Sequence, residues 1–187
     1  MNINSSRKLN YREVLCCTSL FFILLYPVNP VFAKGEYQSG PEFIEESFSA
    51  SAEVIPDAKI LWLDAERKEV AGKILGHPVR GFRVRYWQHE NTTAWILDEI
   101  GKEMPITIGV VVTDNKINQV KILTYRETRG GEVRFPAFLK QFTDVALDRD
   151  QKLTRHIDGI TGATLSVRAV QNVSRLALMY HQFVNES

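Results

Sequence analysis

Two neighbouring segments of apolar residues constrain the fold of this chain more than any other feature. In the first segment, every second position holds a branched aliphatic side chain: Ile106, Ile108, Val110 and Val112. Such alternation is typical of a strand with one buried face. Asp114 and Asn115 then favour a turn, and residues 117–125 return as a second strand. The pattern therefore predicts an antiparallel β-hairpin, which places a sheet within the fold.

Shorter signals elsewhere predict an α+β domain. Strands are predicted over residues 59–63, 82–87 and 94–97. Helices are predicted over residues 42–48, 65–75 and from Pro136 to about Phe142. Residues 34–41 are polar and contain two glycines, and we expect them to form a loose leader. The expected architecture is a twisted antiparallel sheet flanked by helices.

The last segment of the chain predicts a long amphipathic helix. Ser166 can cap a helix that runs to about Asn185. Apolar residues recur along one face at helical spacing: Val167, Val170, Val173, Ala177, Tyr180 and Val184. We expect this stripe to pack on the sheet.

The first 33 residues have the features of an export signal. They begin with three basic residues: Arg7, Lys8 and Arg12. An apolar run over residues 14–26 follows, and residues 31–33 offer a cleavage site ending at Ala33. As a helix the run would reach roughly 20 Å, which is short for a bilayer core of about 30 Å. We therefore expect a cleaved signal and a periplasmic or otherwise exported protein, with a membrane anchor as the alternative if the signal stays.

The composition after residue 33 excludes several kinds of site. Both cysteines, Cys16 and Cys17, lie in the export signal, so residues 34–187 can form no disulfide and no thiolate metal site. The four histidines are scattered without metal-ligand spacing, and no metal site is predicted. Leaving out the four charged residues of the signal, 20 basic and 21 acidic side chains remain, a balance that argues against nucleic-acid binding. Residues 34–187 suit one domain with a core of its own.

A turn of small residues precedes the predicted final helix, over residues 158–166. Gly159 and Gly162 permit backbone angles that other residues resist. The helix that follows would present unpaired N–H groups, and Thr164 and Ser166 would add hydroxyls. The segment is therefore a plausible phosphate site, although most glycine-containing turns before helices bind nothing.

The same turn matches a known modification motif, Asp-x-x-Ser/Thr-Gly-Ala-Thr/Ser. The matching positions are Asp158, Thr161, Gly162, Ala163 and Thr164. The segment resembles the FMN-binding domain of the flavin subunits of the sodium-pumping NADH:quinone oxidoreductase and of the Rnf complex, which also occurs in free-standing exported proteins. The resemblance implies a phosphoester between Thr164 and FMN, installed outside the cytoplasm by a magnesium-dependent flavin transferase with FAD as donor. The other motif residues would shape the turn and be recognised by the transferase. Leu165 and Ser166, which follow the motif, are also expected to bind the cofactor.

The resemblance extends over about residues 104–183 and includes a second segment. Residues 125–130 resemble the family's Glu-Thr-Pro-Gly segment, which lies near the flavin. Glu127, Thr128 and Gly130 are therefore expected near the ring, and Arg129 stands where the family often has proline. For Glu127, an exposed loop carboxylate is the alternative interpretation.

Four further side chains have two interpretations each. Trp87, Trp95 and Tyr125 could stack on the flavin, although each is more typical of a core residue. His156 could lie beside the phosphate or in an ordinary loop.

These features predict an exported electron carrier with covalent FMN. The expected partners are the flavin transferase and a redox protein such as a cytochrome or a membrane quinone or haem protein. No acid–base pair or nucleophilic triad is recognised, which favours a carrier over an enzyme with its own small-molecule substrate. The alternatives are a non-redox exported adaptor module and a flavin reductase that acts on a soluble acceptor.

Overall fold

The structure, a computed structural model, describes residues 35–185. The predicted export signal over residues 1–33 lies outside the described residues. Five strands follow the chain order: β1 (Ala58–Trp62), β2 (Arg83–His89), β3 (Thr92–Ile100), β4 (Pro105–Thr113) and β5 (Lys116–Tyr125). The helices among these residues are α1 (Gly40–Phe48), α2 (Ala65–Leu75), α3 (Pro136–Leu139) and α4 (Thr164–Asn185). Two 3₁₀ turns, at Gly131–Arg134 and Lys140–Phe142, flank α3.

The strands form one antiparallel sheet in the order β1-β2-β3-β4-β5. The central hairpin pairs Ile106 with Tyr125 and Thr113 with Lys116. The predicted α+β fold with an antiparallel sheet is therefore confirmed, and each predicted strand overlaps one of the five observed. Observed strand ends differ by a few residues because backbone pairing extends beyond the apolar positions.

Helix α4 covers one face of the sheet, and α1 covers part of the other. The apolar stripe of α4 is buried against the residues of β3, β4 and β5 that point the same way, and Trp95 lies between Tyr86 and Tyr180. On the opposite face, Phe43 and Phe48 of α1 pack over β3, β4 and β5. This arrangement anchors α4 along its length and fixes the position of its first residue.

The prediction of a loose leader over residues 34–41 is wrong for its described part. Glu36 forms a β-bridge with Thr124, and the N–H of Tyr125 donates to the carbonyl of Gly35 at 2.7 Å. Ser39 caps α1, and Glu42 completes the capping box. The outer edge of β5 offers unpaired backbone groups, and this segment satisfies them although its own composition carries no strand signal.

Among the described residues, none of the helices combines the length and the apolar character needed to cross a bilayer.

Candidate functional site

The turn before α4 ends in a tight bend that starts the helix at Thr164. The Ala163 N–H donates to the carbonyl of Ile160 at 3.0 Å, and the Ala163 carbonyl accepts from Val167 at 2.9 Å. Gly162 has a φ of 82°, the left-handed conformation that glycine adopts without strain. Ala163, which is buried, therefore stands at the helix entrance.

The prediction that Ser166 caps α4 is wrong. The helix begins two residues earlier, and Ser166 is buried within its first turn. Its hydroxyl lies 2.9 Å from the Tyr125 hydroxyl. The Ser166 hydroxyl therefore bonds to Tyr125, a residue distant in the sequence, rather than to the backbone at the start of the helix.

Thr164 is exposed at the first position of the helix. The N–H groups of Thr164, Leu165 and Ser166 donate to no protein group in the described part of the chain. The first N–H groups of a helix carry partial positive charge and bind anions, phosphate groups included. The Thr164 hydroxyl is thus accessible from solvent beside a favourable position for a phosphate.

A cleft of about 570 Å³ opens beside Thr164. One wall is the helix start, from Gly162 to Ser166, and the other consists of residues 102–103 and 127–129. A second cleft of about 640 Å³ lies across the 127–129 loop and shares Gly162 with the first. Thr161 and Gly130 line this second cleft. Both clefts are within the range of 300–1,000 Å³ that small-molecule and cofactor sites occupy.

Tyr125 ties the loop to the start of α4. Its hydroxyl donates to the carbonyl of Arg129 at 2.5 Å, so Ser166 must donate to the Tyr125 oxygen. Burial raises the pKa of Tyr125, and the hydrogen bond from Ser166 partly opposes this rise. The phenol therefore stays neutral and keeps its donor at physiological pH.

Gly130 allows the loop to approach the helix closely. Its φ is 82°, and a Cβ atom at this position would lie 2.9 Å from the Tyr125 hydroxyl and 3.1 Å from Ser166 Oγ. Contacts this short would force the loop away from the helix. Glycine at position 130 thus permits the close approach of the loop to the start of α4.

Glu127 holds the opposite wall of the first cleft. Its Oε1 accepts hydrogen bonds from the backbone N–H groups of Lys102, Glu103 and Met104, at 2.5, 2.6 and 2.9 Å. Burial acts to raise the pKa of Glu127, but the three backbone hydrogen bonds outweigh it, and the pKa lies below its ordinary value. Glu127 therefore lines the cleft as expected. Its Oε1 is used to join the loop before β4 to the loop after β5.

The other predicted residues occupy different surroundings. Thr128 is exposed and lines both clefts. Asp158 is exposed and lies outside both clefts. Its backbone N–H donates to Gln141 Oε1 at 2.7 Å, and its carboxylate lies 3.8 Å from His156 Nε2. Trp95 is fully buried, and Trp87 packs partly on the α1 side of the sheet.

Sequence reasoning did not single out Lys102 and Glu103, and it noted Arg129 only for replacing proline. All three line the cleft beside Thr164. The positions of Lys102 and Glu103 follow from the Glu127 contacts, which join segments more than twenty residues apart, so no local pattern could have revealed them. Within residues 35–185, three or more side chains suited to holding a metal do not cluster anywhere.

This fold and site define a small α+β domain with an exposed threonine at a helix start, beside clefts of cofactor size. Residues 101–179 match the family model of the FMN-binding domain. Residues 101–179 therefore form an FMN-binding domain, which supports a flavin-binding protein with FMN as its cofactor. The matched range agrees closely with the resemblance expected over residues 104–183. No curated protein matches the chain at a significant level.

Proposed function

We propose that this protein is an exported flavoprotein that carries FMN covalently on Thr164 and transfers electrons outside the cytoplasm. The observation that carries the proposal is the exposed Thr164 hydroxyl at the first turn of α4, within the flavinylation motif and beside a cleft of about 570 Å³. Membership of the FMN-binding domain family supports the choice of cofactor.

The attachment reaction would use FAD, in which FMN is joined to AMP. The Thr164 oxygen attacks the FMN phosphorus, a new P–O bond forms, the bond to AMP breaks, and the hydroxyl proton is released. A magnesium-dependent flavin transferase catalyses this step and recognises the exposed Asp158 and Thr161. The free N–H groups at the start of α4 would stabilise the remaining negative charge of a phosphate on Thr164.

The residues around Thr164 would orient the bound cofactor. Arg129 and Lys102, the latter paired with Glu103 at 3.3 Å, place cations on the wall opposite the helix, where Arg129 in particular would favour a phosphate or an electron-rich ring. Glu127 keeps that wall in position through the backbone of residues 102–104. FMN supplies one- or two-electron transfer when bound, and the protein sets its exposure and electrostatic surroundings.

The carrier role is supported by the openness of the site. A cofactor held at Thr164 would stay accessible to a large partner, and a covalent bond would prevent its loss outside the cytoplasm. A cytochrome or a membrane quinone or haem protein would suit as redox partner, since the tether leaves the ring free to meet another protein.

Intact mass spectrometry tests the attachment. The chain is exported together with an active flavin transferase, and we expect a mass gain of one FMN less water. Thr164→Ala should show no gain, whereas Thr164→Ser should keep it because serine also fits the motif. The same spectrum reports whether residues 1–33 are removed.

Two results would contradict the proposal. One is an unmodified wild-type chain when the same transferase modifies another substrate in the same cells. The other is a flavin-sized gain that persists in Thr164→Ala, because the bond would then lie elsewhere.

A further inference from the structure

A third and larger cleft, of about 970 Å³, lies along another part of α4, from Arg168 to Tyr180. It is bounded by the loop between α2 and β2, the end of β3 and the middle of α4. Neither the flavinylation motif nor the 127–130 loop contributes to it. We call it the His77 cleft, after the histidine on its rim.

Two arginines give the His77 cleft unpaired positive charge. Arg80 and Arg168 both line it, both are exposed, and neither guanidinium forms an ion pair or hydrogen bond with any residue of the described chain. Arg80 belongs to the loop and Arg168 to the helix, so the two cations reach the cleft from different elements. An anion between them would gain two charge-assisted contacts.

The carboxylates that line the same cleft are already engaged. Glu99 is buried, and both of its oxygens contact His77 Nε2, at 3.1 and 3.2 Å. Asp98 accepts a hydrogen bond from the Thr107 hydroxyl at 2.6 Å. Hydrogen bonds of this kind hold the two carboxylates in place but leave the charge of Asp98 intact, so an anion is favoured where it lies directly between the two arginines.

The inner walls of the His77 cleft are mainly apolar. They include Val84, Leu97 and Leu176, which pack against the main core, and the buried ring of Tyr180. Asn172 is also buried, and its side chain donates to the carbonyl of Leu75 at 3.3 Å. A cavity with apolar walls, a few fixed polar groups and cations at its edge suits an organic molecule with an anionic end.

We propose that the His77 cleft binds a small organic anion with a flat apolar body, such as an aromatic carboxylate. The acid group lies between Arg80 and Arg168, and the apolar body contacts Val84, Leu97 and Leu176. Arg168 is four residues after Thr164, so about one helical turn, or roughly 6 Å, separates them along α4. A bound molecule would therefore lie close to the first turn of α4 without needing any bond to Thr164.

Binding of 2-naphthoate to the full exported protein tests this proposal, with titration by calorimetry and with neutral 2-naphthalenemethanol as the matched probe. We expect saturable binding of the carboxylate and binding of the alcohol that is at least roughly tenfold weaker. Arg80→Gln and Arg168→Gln should each weaken naphthoate binding by roughly five- to tenfold. Arg149→Gln, which removes another exposed and unpaired arginine away from this cleft, should leave the affinity unchanged.

Repeating the titration on Thr164→Ala separates this proposal from flavin attachment. The affinity should be the same within about a factor of two, because the cleft does not include position 164. Three results would overturn the proposal: no saturable binding, equal binding of the acid and the alcohol, or affinity lost in Thr164→Ala but kept in both arginine variants. The last result would mean that the probe binds to the flavin.

Discussion

The two ends of α4 use their polar groups in opposite ways. At the start, the Thr164 hydroxyl is exposed and the first N–H groups have no partner in the described chain. Near the end, His181 is buried, and its two ring nitrogens lie 2.7 Å from the Thr93 hydroxyl and 3.3 Å from the Asn115 nitrogen. The polar groups at the start of α4 are free to bind a ligand, whereas His181 near the end is already hydrogen-bonded within the protein.

The network around His181 also fixes the form of its ring. Nε2 accepts from the Asn115 N–H and from the Asn185 amide at 3.0 Å, so the proton of the neutral ring belongs on Nδ1. The Thr93 hydroxyl oxygen accepts from that proton and from Trp95 Nε1 at 2.8 Å. Burial lowers the pKa of His181, which the nearby Asp114 carboxylate opposes only in part.

The contrast suggests a division of roles along one helix. The buried end holds α4 to β3 and to the turn after β4, and this rigid attachment lets the other end remain open without fraying. Open polar groups at a helix start cost little in water, whereas the same groups buried would need partners. Substitutions at the two ends should therefore affect different properties.

The largest expected effect on stability comes from His181→Ala. The substitution leaves a cavity and removes the partners of Thr93 and the Asn115 N–H, at a cost of roughly 3 kcal/mol in the free energy of unfolding. Thr164→Ala, at the exposed end, should change this free energy by less than about 0.5 kcal/mol. Urea unfolding of unflavinylated protein measures both values. Similar losses for the two variants would remove the contrast between the helix ends.

A smaller effect is expected from Gly130→Ala, where the loop meets the open end. Gly76 is a matched control, since its φ of 80° is nearly the same but a Cβ atom there would meet nothing within 4 Å. Gly76→Ala should cost about 1 kcal/mol from the left-handed backbone alone. Gly130→Ala should cost about 1 kcal/mol more because its Cβ meets Tyr125 and Ser166.

The rate of flavin attachment gives a second comparison between Gly130→Ala and Gly76→Ala. Gly130→Ala should slow the transferase reaction at Thr164, because the loop is displaced from the helix start, and Gly76→Ala should not. Equal unfolding costs and equal attachment rates for the two variants would show that the close approach at Gly130 has no importance.

The smallest expected effect is the pH dependence of the free energy of unfolding that His181 contributes at the buried end of α4. Because the pKa of His181 is lowered in the folded state, the unfolded chain binds a proton more readily. The stabilisation is complete above the ordinary histidine value of 6.5 and is lost as the pH falls below it. Glu46 and Glu127 also have lowered pKa values, but their contributions are lost only below the ordinary carboxylate value of 4.5.

Urea unfolding at pH 7.5 and pH 5.5 measures the histidine contribution. The wild type should be less stable at the lower pH, and His181→Gln should show a smaller difference between the two. If the two proteins lost stability equally on acidification, His181 would not be the group that titrates.

Most of the secondary structure could be predicted from local patterns. The alternation in β4 and the stripe along α4 are set by which faces must be buried, and both are visible in the order of residues. The strand-like pairing of Glu36 with Thr124 could not be predicted, because a polar segment pairs there only when an open sheet edge is present. The role of Ser166 was missed for the same reason, since its partner lies 41 residues away.

The sequence alone determined the strands, the main helices and the turn of small residues before α4, because each depends on neighbouring residues and on the burial of one face. Tertiary structure decided which groups surround Thr164. Glu127 joins residues 102–104 to the 127–130 loop, and Tyr125 joins that loop to α4. These contacts depend on directed hydrogen bonds between segments far apart in the chain, and such bonds form only after the sheet and helix have brought their partners together.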